Sequence, residues 1–401
     1  MKPKTVLSLL AVVLILAGTS YFLLSDQSSN KNKNQMGTEL MKDLPLNAIA
    51  AITIFGPKGS VELRRGPSVW QVKNRYEYPA DFGKIVDLTK KIKRTKIGRT
   101  FAATDETLTR QKLCDPKDQN ASDDQKGIRI TLFDQKEKTI ADLILGNTRQ
   151  ESSGGSGQYL RYADGKTVYL VNDNFSLLEQ KPEEWLEKEV INIDSKEIKA
   201  IHCYAGDSDQ PLYRLERKEQ GAAPKLSSPP KKGVVDTHKV DQVFESLSPL
   251  NIEDISGPPR KVEDPLPKTS TRLEYQLYDG KIITVYPSSH SEKDSETAQY
   301  QVALTMDYIQ PQTPDTPETS KTTPKKDADN KADDQSTKTD SSKNNKKKEA
   351  KSSEDIKKEA MALNEKLQVW TFELAKWQYD GFITSKEGLM EAKKDNNNPS
   401  N

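Results

Sequence analysis

The chain has 401 residues, a length that accommodates two or three domains. Its 61 Lys and Arg residues nearly balance its 60 Asp and Glu residues, which argues against a general nucleic-acid-binding protein because such a protein needs a basic surface. It has only two cysteines and three histidines, without the spacing of metal ligands, so the sequence predicts no metal site and no cofactor.

The N-terminus carries an export signal. Lys2 and Lys4 precede an uncharged apolar run over residues 6–24, and a helix of that length rises about 28 Å, close to the thickness of a bilayer core. Because positive residues stay on the cytoplasmic side, we expect an N-terminal transmembrane anchor over 1–25 in the bacterial inner membrane, with the C-terminal bulk in the periplasm. A cleaved signal peptide is the alternative, but the apolar run resumes at 21–24, which favours an uncleaved anchor.

A polar segment over 26–43, rich in Asn, Lys and Ser, is typical of a flexible stalk. Alternating apolar residues and turn signals then predict a first repeat over 44–194, built mostly from antiparallel strands. Its predicted strands span 48–55, 60–65, 70–72, 127–134, 139–146, 158–163 and 167–171. A polar connector is expected over 99–125, and a short helix, interrupted by Pro182, over 174–190.

Asp81 precedes a one-sided apolar stripe of Ile85, Leu88 and Ile92, whose spacing predicts a helix packed on the sheet. Its carboxylate is expected to cap that helix by accepting hydrogen bonds from free backbone N–H groups. A pair of catalytic carboxylates, Asp81 with Asp236, is the alternative interpretation. Capping is favoured because each aspartate stands just before an apolar helical stripe.

The second part of the chain, 195–390, repeats the first with its elements in the same order. At one constant offset Asp81 matches Asp236, and Lys84 matches Lys239. Other matched segments are 49–55 with 198–204, 128–134 with 273–279, and Tyr159 with Tyr300. In this repeat a helix is predicted over 236–248 and strands near 271–279, 281–286 and 298–305. We therefore expect an α+β fold with two tandem similar lobes, each a mostly antiparallel sheet with a packed helix, after one N-terminal transmembrane helix.

Residues 310–355 interrupt the second repeat. This tract contains no aromatic residue and no Ile, Leu, Val or Met, so it cannot bury enough apolar surface to offset its ordering entropy and is predicted to be a disordered insertion. A helix is expected over about 356–374. A closing helix follows, in which Trp377 matches Trp185 of the first repeat.

Two groups of residues invite comparison with parts of active sites. The segment 152–157, with Gly154, Gly155 and Gly157, superficially resembles a phosphate-binding loop. A strand follows it instead of a helix, so a hairpin loop is favoured. In a hydrolase the histidines would have to converge with a nucleophile and an acid, but nothing places the three together, and we expect each to be exposed. They are His202, His238 and His290.

The cysteines and tryptophans have structural interpretations. Cys203 occupies the position that Ile54 fills in the first repeat, which favours a buried free thiol. A disulfide with Cys114 is the alternative, since export permits one. The tryptophans are expected to pack in the core or between lobes, and a sugar-stacking surface is the alternative. They are Trp70, Trp185, Trp370 and Trp377.

The strand and turn pattern resembles a bacterial family, domain of unknown function 4340. The resemblance rests on the N-terminal anchor, the Ile-x-Ile strand at 52–54, the Leu-x-Arg strand at 63–65 and several single positions. These positions are Trp70, Pro79, Ala80, Asp81, Gly146, Tyr159, Tyr169, Leu170 and Val171. The chain departs from the family pattern in the insertion over 310–355 and at Leu113–Pro116, where a Gly-Leu-Asp-x-Pro turn is common.

The resemblance implies an envelope accessory protein, because members often accompany ABC-transporter genes of the gliding-motility type, and it implies no catalytic residues. We therefore expect a membrane-anchored, periplasm-facing accessory or scaffold protein beside an ABC-type envelope transporter. Its partners would be the inner membrane, through residues 6–24, and other envelope or transporter proteins, but not nucleic acid. The alternative is a non-catalytic binding module for cell-wall glycan or lipid in the inter-lobe cleft, and an enzyme ranks third.

Overall fold

A computed structural model of the protein describes residues 35–150, 156–231, 233–290, 298–311 and 351–391. These residues form mostly antiparallel sheets with a few helices, which confirms the α+β class. No helix in the described ranges is long and apolar enough to cross a membrane. The predicted anchor over 6–24, Gly154, Gly155 and most of the predicted insertion lie outside those ranges.

Nine strands form the first sheet, and the predicted strands of this region are confirmed with shifted ends. The strands are β1 (Ala51–Gly56), β2 (Gly59–Arg65), β3 (Trp70–Val72), β4 (Tyr78–Pro79), β5 (Ile97–Ala102), β6 (Ile128–Phe133), β7 (Thr139–Gln150), β8 (Ser156–Tyr162) and β9 (Thr167–Val171). Their order in the sheet is β4-β3-β2-β1-β6-β7-β8-β9-β5. Alternate residues such as Ile52 and Ile54 are fully buried, as the period of two requires when one face covers a core.

Helix α1 (Phe82–Arg94) begins directly after Asp81, and Asp81 Oδ1 accepts a hydrogen bond from the Lys84 backbone N–H at 3.1 Å. The helix buries Ile85, Leu88 and Ile92, which confirms the predicted stripe. Each of these side chains stabilises the fold by about 1.5–3 kcal/mol through removal from water.

The second sheet has eight strands, and its predicted strands are likewise confirmed. Strands of the second part of the chain are β10 (Glu189–Ile191), β11 (Ile198–Ala205), β12 (Pro211–Glu216), β13 (Lys225–Leu226), β14 (Leu250–Asn251), β15 (Asp254–Ile255), β16 (Thr271–Leu277), β17 (Lys281–His290), β18 (Gln299–Tyr308) and β19 (Thr371–Glu373). The sheet order is β13-β12-β11-β16-β17-β18-β19-β15, and β10 pairs separately with β14. Position by position, this order corresponds to β3-β2-β1-β6-β7-β8-β9-β5 of the first sheet.

The first helix start is held to a closing segment of the chain. Ala80 forms an antiparallel bridge with Leu186, and the Asp81 backbone N–H donates to Trp185 O at 2.8 Å. Lys84 Nζ adds a hydrogen bond to Glu184 O. The aspartate thus uses its side chain to cap the helix and its backbone to fix the segment that returns from the sheet.

The second helix start has the same arrangement. Helix α3 (Thr237–Glu245) follows Asp236, whose carboxylate accepts from the backbone N–H groups of the first turn. Val235 bridges Met390, and the Asp236 N–H donates to Leu389 O at 2.9 Å. Lys239 Nζ donates to Met390 O at 3.1 Å. Capping is therefore confirmed as the role of both aspartates.

This arrangement corrects the predicted match of the closing segments. Trp185 and Leu389 occupy equivalent bonded positions, and both are buried. The structural counterpart of Trp185 is therefore Leu389 and not Trp377, which lies in a different helix, α5 (Lys376–Tyr379). The sequence matches the two tryptophans because the residues that follow each have a similar order of polar and apolar side chains. The secondary structure differs, since Trp185 ends a 3₁₀ turn that leads to β10 and Trp377 lies in helix α5.

Two predicted helices are wrong in detail. The helix over 174–190 is absent from the described chain, which instead has a 3₁₀ turn at Pro182–Trp185 followed by β10, because the Pro182 ring starts a turn instead of continuing a helix. Helix α4 (Ser353–Leu367) begins inside the predicted insertion. It also ends before residue 371, where β19 pairs with β18.

Two boundaries near polar segments also differ. Predicted stalk residues are paired with the first sheet, because Gly37 N donates to Ile97 O at 2.7 Å and Leu40 N donates to Thr95 O at 2.7 Å. The polar connector over 99–125 holds most of β5 and a short helix, α2 (Asp105–Arg110). The side chains of these segments are mostly polar, so their sequence has no apolar pattern that predicts structure. Backbone hydrogen bonds hold the segments in place.

Gly146 of β7 is required by a close approach of two chain segments. A Cβ added there would meet the Gln111 carbonyl oxygen and would lie 2.8 Å from Leu113 Cδ2. Leu113 itself is fully buried. Only glycine leaves room for this loop, which gives a physical reason for one residue of the family pattern.

The residues that flank 312–350 lie at one corner of the second sheet. Ile309 N donates to Gly280 O at 2.9 Å. The neighbouring Lys281 Nζ lies 3.8 Å from Glu359 Oε1, and Glu359 Oε2 lies 2.6 Å from Lys351 Nζ. The chain therefore leaves and rejoins this corner over a short distance.

By its internal contacts the chain divides into two compact units. The first comprises residues up to Val190 together with Asn251–Pro259. The second comprises Ile191–Leu250 and the residues from Arg260 onward.

The capping role predicts matched losses of stability in the two units. Asp81→Ala and Asp236→Ala should each lower the free energy of unfolding by about 1 kcal/mol, because each leaves helix N–H groups without an acceptor. Urea unfolding of the purified variants measures this. Asp87→Ala and Asp241→Ala, which remove exposed carboxylates inside the same helices, are the controls and should change stability by less than about 0.5 kcal/mol. Equal effects at capping and control positions would contradict the assignment.

Candidate functional site

His202 is the histidine with the most contacts, and it sits within the second sheet on β11. Its side chain is only 15% exposed, so the expectation that it is exposed was wrong, while His238 and His290 are exposed as predicted. Its Nδ1 lies 3.4 Å from the Tyr204 hydroxyl and 3.3 Å from Gln276 Nε2. The cause is cross-strand packing, which places long polar side chains of β11 and β16 over the ring.

The surroundings favour the neutral form of this imidazole. Burial lowers the pKa of His202, and the Arg214 guanidinium lowers it further, while Glu216 and Glu274 oppose the shift. Since Tyr204 and Gln276 can both donate to Nδ1, the ring proton is assigned to Nε2, 3.9 Å from Glu216 Oε1.

The groups around His202 are held by polar and aromatic contacts with one another. Burial raises the pKa of the Tyr204 hydroxyl, with a further contribution from Glu274, so Tyr204 stays a donor. Arg272 stacks over the Tyr204 ring at 4.4 Å, and its Nε lies 3.5 Å from Glu274. The three histidines lie on β11, in the first turn of α3 and at the end of β17, so the structure does not assemble them into one site.

The cysteines are both free, and Cys203 is buried as predicted. Its Sγ contacts Thr384 O at 3.6 Å, and burial raises the pKa of the thiol to about 12. The Tyr213 hydroxyl donates to Ile383 O in the same segment. These contacts fix the residues that lead to the closing segment, so Cys203 has a packing role. Cys114 is half-buried.

Ion pairs of the first unit hold loops to the sheet and were missed by sequence reasoning. Arg129 binds Asp142 through two hydrogen bonds, at 2.9 and 2.6 Å, and binds Asp115 at 2.6 Å. The hydrogen bond with Asp142 raises the pKa of Arg129. Since Asp115 follows Cys114 in the loop that departs from the family pattern, this pairing shows how the loop is anchored.

A second arginine acts in the same way. Arg75 Nη2 lies 2.7 Å from Glu183 Oε2, and its Nε lies 2.9 Å from Asp254 Oδ1. The partners are far apart in sequence, so no local pattern signals the contact. Both arginine clusters are neutralised by carboxylates within bonding distance, which assigns them to structure.

A groove lies beside the segment that precedes the first strand. It has a volume of about 400 Å³, within the range of small-ligand sites. Tyr162 forms one wall, and its hydroxyl donates to Leu40 O at 3.1 Å. The groove is lined by Glu39, Leu40, Met41, Lys42, Asp43, Leu44, Pro45, Ile140 and Tyr162.

A surface of aromatic and charged side chains lies on the second unit. The Trp377 surface comprises Tyr300, Lys376, Trp377, Tyr379 and Asp380. Trp377 is 70% exposed. The Tyr300 and Tyr379 ring centroids are 5.0 Å apart, and Lys376 Nζ lies 5.8 Å from the Tyr300 ring. Lys376 also pairs with Asp380 at 2.6 Å.

The tryptophans therefore have different roles. Trp70 and Trp185 are buried, which confirms packing for these two, and Trp370 is half-buried. The packing prediction was wrong for Trp377. Burial of apolar surface contributes about 25 cal/mol per Å² to the stability of a fold. The exposed Trp377 side chain therefore contributes much less to stability than the buried Trp70 and Trp185 side chains.

Comparison with known protein families shows which family the chain belongs to. The sequence profile described as Domain of unknown function (DUF4340) matches residues 70–271, just over half of the chain. The chain belongs to this family. No curated protein and no solved structure matches it.

The thiol environments predict selective labelling. At pH 8 a thiol reagent should modify Cys114 of the native protein, whereas Cys203 should react only on unfolding, because its thiolate is disfavoured by burial. Mass spectrometry of the labelled peptides measures both rates. Cys114→Ser should abolish native labelling, and Cys203→Ser should leave it unchanged. Equal labelling of the two thiols in the native wild type would refute this.

The His202 environment predicts a loss of stability in acid. Because its folded-state pKa is lowered, the unfolded chain takes up the proton first as the pH falls below about 6.5. The free energy of unfolding should then decrease with falling pH by at most about 1.4 kcal/mol per pH unit. Urea titrations between pH 7.5 and 5 measure the slope, and His202→Asn should flatten it. His238→Asn, at an exposed position, is the control, and the same flattening in both variants would contradict the assignment.

Proposed function

We propose that this protein is a membrane-anchored, periplasm-facing accessory or scaffold protein that works beside an ABC-type envelope transporter without catalysing a reaction. The support comes from family membership, from the apolar run at 6–24 and from the structural use of groups that elsewhere do chemistry. Asp81 and Asp236 cap helices, and Cys203 packs against the residues before the C-terminal closing segment.

The observation that carries the proposal is the pairing of residues 37–40 with the first sheet. If 6–24 spans the membrane, only the twelve residues 25–36 lie between the span and the first paired residue, Gly37. Such a segment reaches at most about 43 Å when fully extended. The first unit is then held close to the bilayer, where the extracytoplasmic loops of a transporter are within reach.

The groove at 39–45 lies on this membrane-proximal segment. Its backbone is fixed by bonds such as Tyr162 Oη to Leu40 O, so it presents a preformed surface. Exposed charges of both signs, Lys42 and Asp43, border it. These features suit a polar contact with a partner loop.

The proposal extends to architecture: the two units are similar lobes copied from one ancestral sheet-and-helix module. The corresponding strand orders support this, as do the matched helix starts at Asp81 and Asp236. A duplicated module suits a scaffold, because each of its two lobes can engage a different partner.

Site-specific photocrosslinking in cells tests the accessory role. A photoreactive residue at Lys42, in the groove, should crosslink to a subunit of an ABC transporter, identified by mass spectrometry. The same residue at Lys90, exposed on α1, is the matched control and should give no such product. Absence of transporter subunits from the Lys42 products would overturn the accessory role.

A further inference from the structure

Trp377 is displayed from a rigid base. Its neighbour Gln378 is buried and donates through Nε2 to Pro249 O at 3.3 Å. On the other side, Tyr379 packs against Tyr300. The indole therefore projects from a short helix whose adjacent side chains are held by the second unit. An exposed ring on a fixed backbone loses little conformational entropy when a ligand stacks on it.

The groups around the ring are polar and charged. Lys376 and Asp380 form an exposed ion pair, with side chains 64% and 48% exposed. Lys376 also lies over the Tyr300 ring. The Trp377 surface thus offers one apolar plane beside a cationic donor and an anionic acceptor.

This combination favours a sugar over the other partners of an exposed tryptophan. A protein hot spot sits among contacts that exclude water, and here the flanking positions are a solvated ion pair. Insertion into a lipid surface uses several apolar side chains together with an excess of basic ones, and here the flanking charges cancel. A pyranose ring has an apolar C–H face that stacks on indole, and hydroxyl groups that bond to an ammonium and a carboxylate.

We infer that the Trp377 surface is a carbohydrate-binding site for a pyranose-based glycan of the cell envelope. Trp377 supplies the stacking plane, and Lys376 Nζ and the Asp380 carboxylate bond the hydroxyl groups. The site lies within the second unit and does not depend on the transporter contact proposed for the first. Its chemistry is binding alone, with no covalent step.

Isothermal titration of the full-length protein with chitotetraose, a soluble β-1,4-linked N-acetylglucosamine oligomer, tests the site. Wild type should bind it, and Trp377→Ala should weaken the affinity at least about tenfold. Trp377→Phe, which keeps a smaller ring, should retain part of the affinity. Asp380→Asn, which keeps a hydrogen-bonding side chain without the charge, should weaken binding less than Trp377→Ala.

Leu177→Ala is the matched control, because Leu177 is 90% exposed and lies in the first unit. It should bind as wild type does, and the melting temperature of each variant should stay unchanged. Equal affinities of wild type and Trp377→Ala would overturn the inference, as would the absence of binding to chitotetraose, to maltotetraose and to purified cell-wall fragments. Either result leaves crosslinking at Lys42 unaffected, so failure here is separable from failure of the accessory role.

Discussion

The fold depends on one recurring interaction, in which an aspartate joins a helix start to a distant segment of chain. Asp81 caps α1 with its carboxylate while its backbone N–H bonds Trp185 O. Asp236 does the same for α3 and Leu389 O. The carboxylate satisfies helix N–H groups, and the backbone N–H of the same residue fixes the closing segment. One residue therefore sets both where the helix begins and where the closing segment lies.

Sequence patterns predicted the strands well because period-two burial is a local signal, and β16 to β18 lie close to their predicted positions. They failed where long-range contacts decide. Phe175, Leu178 and Trp185 have near-helical spacing, yet Trp185 is buried in a 3₁₀ turn with its Nε1 bonded to Glu179 O. The contact of Leu389 with Asp236 could not be predicted, because it is a hydrogen bond between backbone groups and does not depend on residue type.

The candidate surfaces were less predictable than the fold. His202 is half-buried because cross-strand neighbours cover it, and pairing register is not visible in a single sequence. Trp377 and Trp185 are followed by similar sequences, so the sequence does not show that one ring is exposed and the other buried. The structure shows this difference. Several charged or potentially reactive side chains make contacts that stabilise the fold. Arg129 forms an ion pair with Asp142, and Cys203 contacts the Thr384 carbonyl oxygen. The surfaces proposed to meet partners are the groove at 39–45 and the exposed indole.

The corner at Lys281, where Glu359 links to Lys351, has a use in engineering. Chain ends that meet at a surface accept new termini or an inserted domain with little disturbance of the sheet. A fluorescent protein placed within 312–350 would report on this protein in living cells while both natural ends stay free.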